Sequence, residues 1–420
     1  MGIMLKGCLL EGKKKDIYIE DRKISEINDK IPVEADHKIG CKSLAAIPGL
    51  MNCHTHSAMA LLRGFADDMP LDRWLQDKIW PIEEKLTEKD VYWGSRLACL
   101  EMIRSGTTFF NDMYWHFHGT AKAAFDSGMR ARVSAVFLDL FDDAKARDQK
   151  KLNKQLFKDC KKYGSRISMA LGPHAMYTAS EESLLWAKEF AEKHDLTIHF
   201  HLSESKKEVD DCLKKHRMRP VEYLDKIGFL CKNVAASHCV WLSDDEIRLM
   251  AKHDARVLHN PASNMKLSVG RALPYKKLRD AKITIGLGTD GCASNNNLDM
   301  FEEMKIASLL QKHAAQDPTA MPAGEAFDLA TKNPARIFKL DCGRIQEGML
   351  ADIALIDLKH AKLLPNHNLI SNLVYSAGSG CVHSTICDGR LLMQDRKIEN
   401  EHEVAEKAQD IAIELVAQEQ

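Results

Sequence analysis

The chain has no excess of either charge, with 59 Lys plus Arg against 60 Asp plus Glu. No global field therefore draws it to nucleic acid or an anionic membrane, and a neutral small molecule is the expected partner. It has no uninterrupted apolar run of about 18 residues, the length a membrane-spanning helix needs. The opening MGIMLKGCLLEG has no long apolar segment behind a basic start, and Lys6 stands where an N-myristoylation signal wants Ser or Thr. The expected location is the cytoplasm. Twelve cysteines, from Cys8 to Cys387, form no CxxC pair, which leaves neither a zinc ribbon nor a thioredoxin-like motif to read. Reduced, buried thiols are expected. With 45% hydrophobic and 28% charged residues, signs of disorder or a fibrous repeat are also missing.

What is present is length and a repeating texture. The 420 residues suit a large barrel carrying a smaller satellite. The first 45 residues read as short strands with turns, DIYIEDRKISEI being an alternating run broken at Asp21–Arg22. GRIQEGMLADIALIDL and STICDGRLLMQDRKI, near the other end, have the same texture. Residues 1–46 and 343–400 are therefore expected to pair into one small β-sandwich, followed by a C-terminal helix over 401–420. Between them, across 47–342, eight apolar runs alternate with helix-like segments: LAAIPGLMN, TTFFNDM, RARVSAVFLD, RISMALGPH, LTIHFHLSE, NVAASHCV, ARVLHNPASN and KITIGLGTDG. Eight parallel strands imply an α/β fold, a (β/α)8 TIM-like barrel with its chemistry at the strands' C-terminal ends.

Ligand-type residues collect at those ends. His54 and His56 close the first run, His174 the fourth, His201 and Glu204 the fifth, His238 the sixth and Asp290 the eighth. On a strand, residues i and i+2 share a face, so His54 and His56 can aim at one cation. HxH alone is weak, because His116 with His118 and His199 with His201 repeat it. A third His and an Asp at later strand ends raise its weight, since a catalytic metal needs at least three protein ligands and an open position. Asp290 on its own would read as a turn or helix-capping aspartate. Its flanking glycines in GLGTDG allow close approach to a ligand. His116 and His118 read as surface-loop residues, and His199 as inward-facing and hydrogen-bonded.

The stretches PGLMNCHTHSAMALLRGFADDMPLDRWL, WPIEEKLTE, LGPHAMY, HLSE, ASHCVWL, HNPASNMKL, LGTDGCASNNNLDMFEEM, NPARIF and GRIQEGMLADIALID resemble the amidohydrolase superfamily. Within it, they resemble the deaminases acting on 5'-methylthioadenosine and S-adenosylhomocysteine. The resemblance implies one divalent metal, zinc or iron(II), on His54, His56, His201 and Asp290, with His238 beside its water. It implies Glu204 as acid/base toward the purine, Glu83 as acceptor for the ribose hydroxyls, and His174 as a contact to the ring. A homo-oligomer is expected.

The chain departs from that pattern at one place. Of the two arginines that hold the S-adenosylhomocysteine carboxylate, the loop one is matched by Arg147, while the strand position falls on Ala135. A preference for small 5' groups follows. Two alternatives stand beside this reading: another activity on the same site, with a guanine, 8-oxoguanine, cytosine or chlorotriazine substrate, and a non-catalytic metal-binding barrel. A degenerate barrel is expected to have lost one or more of His54, His56, His201, Glu204, His238 and Asp290.

Overall fold

The computed structural model describes residues 2–417. The chain opens with β1 (Gly2–Leu10), β2 (Lys13–Glu20), β3 (Lys23–Asn28), β4 (His37–Gly40) and β5 (Leu44–Pro48). There follow β6 (Leu50–Thr55), β7 (Thr107–Tyr114), β8 (Arg130–Phe137), β9 (Ile167–Met169), β10 (Gly172–Pro173), β11 (Ile198–Leu202), β12 (Val234–His238), β13 (Arg256–His259) and β14 (Ile285–Leu287). The last strands are β15 (Ile353–Asp357), β16 (Val382–Cys387) and β17 (Arg390–Met393). DIYIEDRKISEI turns at Asp21, whose φ is 52°, a left-handed conformation that Asp tolerates better than most residues.

Strands from both ends of the chain form one continuous eight-stranded sheet. Its order is β17, β16, β15, β5, β1, β2, β3, with β4 beside β1. It encloses its own apolar cluster, including Ile3, Leu5, Ile17, Ile19, Ile353, Leu355 and Ile386.

The expected first run, LAAIPGLMN, divides. Its front half, β5, pairs antiparallel with β15, and its back half, β6, pairs parallel with β7. The chain crosses between them at Gly49, where a Cβ would stand 2.4 Å from the Thr108 side chain. RISMALGPH also divides, into β9 and β10, both paired with β8.

The barrel strands form two parallel sheets, β10-β8-β7-β6 and β11-β12-β13-β14. On one side, Leu171 bridges Ile198 and Ala175 bridges His201. On the other, the Asp290 N–H donates to the His54 carbonyl at 2.9 Å. Asn52 reinforces this second seam, bonding Thr289 Oγ1 at 2.7 Å and accepting from its N–H at 3.0 Å. The two sheets thereby curl into a TIM-like barrel.

Helices with ordinary terminal chemistry wrap it. Glu88–Arg104 starts on a Thr87/Asp90 capping box, which satisfies two otherwise free N–H groups. The closing helix, Glu401–Ala417, turns Val404, Ala408, Ile411 and Leu415 inward, and Arg104 donates to Glu401 at 2.6 Å. No helix among the described residues is long and apolar enough to cross a membrane.

Arg130, at the start of β8, ties barrel to sheet. Its guanidinium meets Asp352 at 3.2 Å and Asp388 at 2.6 Å, and all three side chains are almost fully buried. Arg130→Ala would leave buried Asp352 without its cation and Asp388 with Arg22 alone, 3.0 Å away, a loss of about 3–5 kcal/mol. The expected outcome is a fall of that size in unfolding free energy by urea titration.

Candidate metal centre and active site

Four side chains converge where the β6–β14 seam meets the mouth of the barrel. His56 Nε2 lies 3.3 Å and His54 Nε2 3.4 Å from Asp290 Oδ1. His201 Nε2 lies 3.4 Å from His56 Nε2. His54, His201 and His238 also offer nitrogens to one point. Asp290 has a φ of 66° and His238 one of 70°, left-handed positions that the surrounding structure must enforce and that cluster at functional sites.

The neighbours of these residues set their proton positions. His56 Nδ1 donates to the Met113 carbonyl at 2.6 Å and His201 Nδ1 to the His174 carbonyl at 2.8 Å. Both Nε2 atoms therefore carry lone pairs, and they face each other across 3.4 Å. His54 Nε2 is buried without a hydrogen-bond partner. Burial pushes the His54 imidazole down to about 4 and His201 well below its usual value, which keeps both neutral. Facing lone pairs beside a carboxylate repel one another unless a cation lies between them. Ligand atoms about 2.0–2.1 Å from a tetrahedral ion are about 3.3–3.4 Å apart, the separations found here. The donor set fits a divalent metal.

Asp290 is held by a Ser263 hydroxyl donating to Oδ2 at 2.7 Å and the Gly291 N–H donating to Oδ1 at 2.9 Å. Gly288 is required beside it, since a Cβ there would stand 2.6 Å from the His54 nitrogen. Glu204 follows β11, with Oε1 3.8 Å from His238 Nδ1. Burial and the Asp290 charge raise its carboxyl above the usual range, against the pull of His238. His238 Nδ1 donates to Asn264 Oδ1 at 2.8 Å, leaving Nε2 available to the cavity.

The cavity beside this centre measures about 530 Å³, within the range of small-molecule sites. Glu83, His174, His201, Glu204, His238 and Asp290 all line it, with Trp74, Trp80 and Trp115 among its apolar walls. Trp115 Nε1 donates to Glu83 Oε2 at 3.1 Å, and His174 meets Thr178 Oγ1 at 3.1 Å. Arg147 is not brought there; it is exposed on the helix Asp143–Asp159, while Ala135 is buried in β8. His118 packs against Tyr163. His116, read from sequence as a surface-loop residue, is exposed, and it also borders the cavity, with Nε2 on the Leu86 carbonyl at 2.8 Å. It has a left-handed φ of 51° at the start of the helix Phe117–Asp126.

Two carboxylates went unread in the sequence. Asp112 Oδ1 accepts from Thr55 Oγ1 at 2.7 Å and the Ser57 N–H at 2.6 Å, bracketing His56. Glu208 accepts from the Ser203 and Glu204 N–H groups at 2.8 and 2.9 Å, fixing the turn that carries Glu204. Burial pushes its carboxyl up to about 7. Glu208 lies four residues beyond Glu204, a spacing that reads equally well as an exposed helix face.

A parallel barrel with a histidine-rich centre at its strands' C-terminal ends defines a metal-dependent hydrolase. The chain belongs to the amidohydrolase family, whose model matches residues 45–392. It is 48% identical over 407 residues to a 5'-deoxyadenosine deaminase of Methanoregula boonei, covering 96% of this chain and 92% of that one. It is also 48% identical over 408 residues to 5-methylthioadenosine/S-adenosylhomocysteine deaminase 1 of Archaeoglobus fulgidus, covering 96% and 95%. A crystal structure of an adenosine deaminase from Xanthomonas campestris with bound zinc superposes with a TM-score of 0.93 at 30% identity, covering 99% of this chain and 98% of that one.

Proposed function

We propose that this protein deaminates 5'-substituted adenosines, such as 5'-methylthioadenosine, S-adenosylhomocysteine and adenosine, to the inosine counterpart and ammonia. The observation that carries the reading is the pair of facing Nε2 lone pairs of His56 and His201 beside Asp290, next to a cavity that also holds Glu83 and Glu204. The names of the two relatives at 48% identity supply the substrate class.

His54, His56, His201 and Asp290 are the ligands in this reading, with zinc the metal, as in the Xanthomonas structure, and iron(II) its rival. When bound, the cation supplies Lewis-acid activation of water at neutral pH. Asp290 takes a proton from the attacking water as its oxygen bonds to C6 of the purine. Glu204, protonated at the start, gives its proton to ring N1, which makes C6 electrophilic; the proton held by Asp290 then goes to the leaving amine while Glu204 regains one from the C6 hydroxyl. Against the pull of burial, the Glu204 and Asp290 carboxylates raise the His238 imidazole above its usual value, and in its doubly protonated form it donates from Nε2 to the oxygen on the tetrahedral carbon. The C6–N bond breaks, ammonia leaves and the 6-oxopurine remains. His174 contacts the ring, and Glu83, fixed by Trp115, accepts from the ribose hydroxyls. A site built to bond hydroxyls rejects ligands lacking them, because its own polar groups are then left unpaired.

No lysine or arginine is among the described residues lining the cavity, and its formal charges come from carboxylates. A carboxylate tail at the 5' position finds no cation, losing a charge-assisted bond worth about 1.5–3 kcal/mol. The expected kcat/KM for 5'-methylthioadenosine therefore exceeds that for S-adenosylhomocysteine by about ten- to a hundredfold. Ammonia release and the ultraviolet change across nucleosides and free bases test both levels. Equal rates for the two thioethers would refute the 5' preference alone. Turnover of guanine, cytosine or a chlorotriazine, and of no adenosine, would refute the substrate class.

The eight-stranded sheet with its separate apolar cluster supports reading residues 1–46 and 343–400 as one small β-rich domain, built on one continuous sheet where a sandwich was expected, beside a barrel over 47–342 and a helix over 401–420. Twelve buried, unpaired cysteines support a reducing compartment, the cytoplasm.

A further inference from the structure

The metal ligands differ in how their outer nitrogens are held. His56 and His201 each rest Nδ1 on a backbone carbonyl. His54 meets no carbonyl there. Its Nδ1 meets His199 Nε2 at 2.5 Å, with the rings edge to face at 83°, and Ser237 Oγ at 3.1 Å.

His199 is fully buried and does not line the cavity, so it touches no substrate. Its other side is pinned as well. Nδ1 lies 3.0 Å from Asn111 Nδ2, which is itself fixed by donating to the Cys53 carbonyl at 2.8 Å. A His54 that ligates through Nε2 keeps its proton on Nδ1, so the His199 Nε2 it faces at 2.5 Å is the acceptor. A ring so placed does for His54 what a carbonyl does for the other two histidines: it keeps the proton on Nδ1 and turns the Nε2 lone pair to the centre.

We propose that His199 is a positioning residue of the metal centre, acting only through His54. This rests on the metal reading above. The second HxH is thus divided between two tasks: His201 is a ligand, and His199, one step deeper on the same strand face, orients a ligand from the opposite sheet. Partners that orient a ligating histidine typically contribute about 10–100-fold in metal affinity.

Zn(II) affinity measured by chelator competition on the full chain tests this, with His199→Phe, His199→Gln and, as a control, His118→Gln. The expected result is about 10–100-fold weaker binding for His199→Phe. His199→Gln, which keeps an acceptor oxygen, recovers part of it, and His118→Gln matches the unaltered protein. The thermal shift on adding zinc shrinks in the same order, and the visible spectrum of the cobalt(II)-loaded His199 variants differs from that of the unaltered protein. Unaltered affinity in a folded His199→Phe would overturn the assignment. If that variant does not fold, unaltered affinity in His199→Gln overturns it. An unaltered protein that takes up no zinc refutes the metal reading instead.

Discussion

Glu204→Gln is expected to keep one zinc per chain and to lower kcat about 10²–10⁴-fold, the usual contribution of a positioned proton donor or acceptor. The amide has nearly the same shape as the carboxyl, and the bonds that fix its turn run from backbone N–H groups to Glu208, which the substitution leaves alone. What is lost is the proton. Burial raises the Glu204 carboxyl while His238, 3.8 Å away, opposes it, so it holds a proton more readily than an ordinary carboxyl. Metal analysis beside steady-state kinetics checks the prediction. Full activity in the variant would remove Glu204 from the reaction.

Asp290→Ala should be more severe in activity and different in kind. It removes a ligand and a proton acceptor together, so turnover falls by about four orders of magnitude or more and zinc content drops below one per chain. The Gly291 N–H would lose its acceptor, adding about 1–3 kcal/mol of instability for a buried donor left unpaired, while the Ser263 hydroxyl keeps Ser294 Oγ at 3.0 Å. Zinc content separates the two variants: retained in Glu204→Gln, lost in Asp290→Ala. A zinc-replete Asp290→Ala protein would exclude Asp290 as a ligand.

The sequence revealed most where a residue's role follows from its place on a strand. HTH could be singled out from three HxH pairs because it closes the first barrel strand, and Asp290 because it closes the last. β-Strand periodicity and a Gly-flanked turn carry that information locally. What stayed hidden depends on contacts between distant elements. Asp112 and Glu208 look like any strand or helix carboxylate until the fold places Ser57 or Glu204 above them. His199 needed the rotation of the barrel to meet His54, which lies 145 positions away. Arg147 shows the converse: its position in the chain suited a substrate clamp, but the turn of its helix carries the guanidinium to solvent. The break in LAAIPGLMN was equally invisible, because only the close approach of Thr108 explains why Gly49 ends one strand and starts another.

The seam where Asn52 grips Thr289 joins positions 237 residues apart, and His54 and Asp290 meet at the same place. A cation held between them acts as a clasp on a very long loop, opposing the chain entropy that separation would release. Such a clasp predicts an order of opening: on removal of zinc, amide exchange should quicken first along β6 and β14, while the opposite seam away from the centre, at Leu171 and Ile198, stays protected longer.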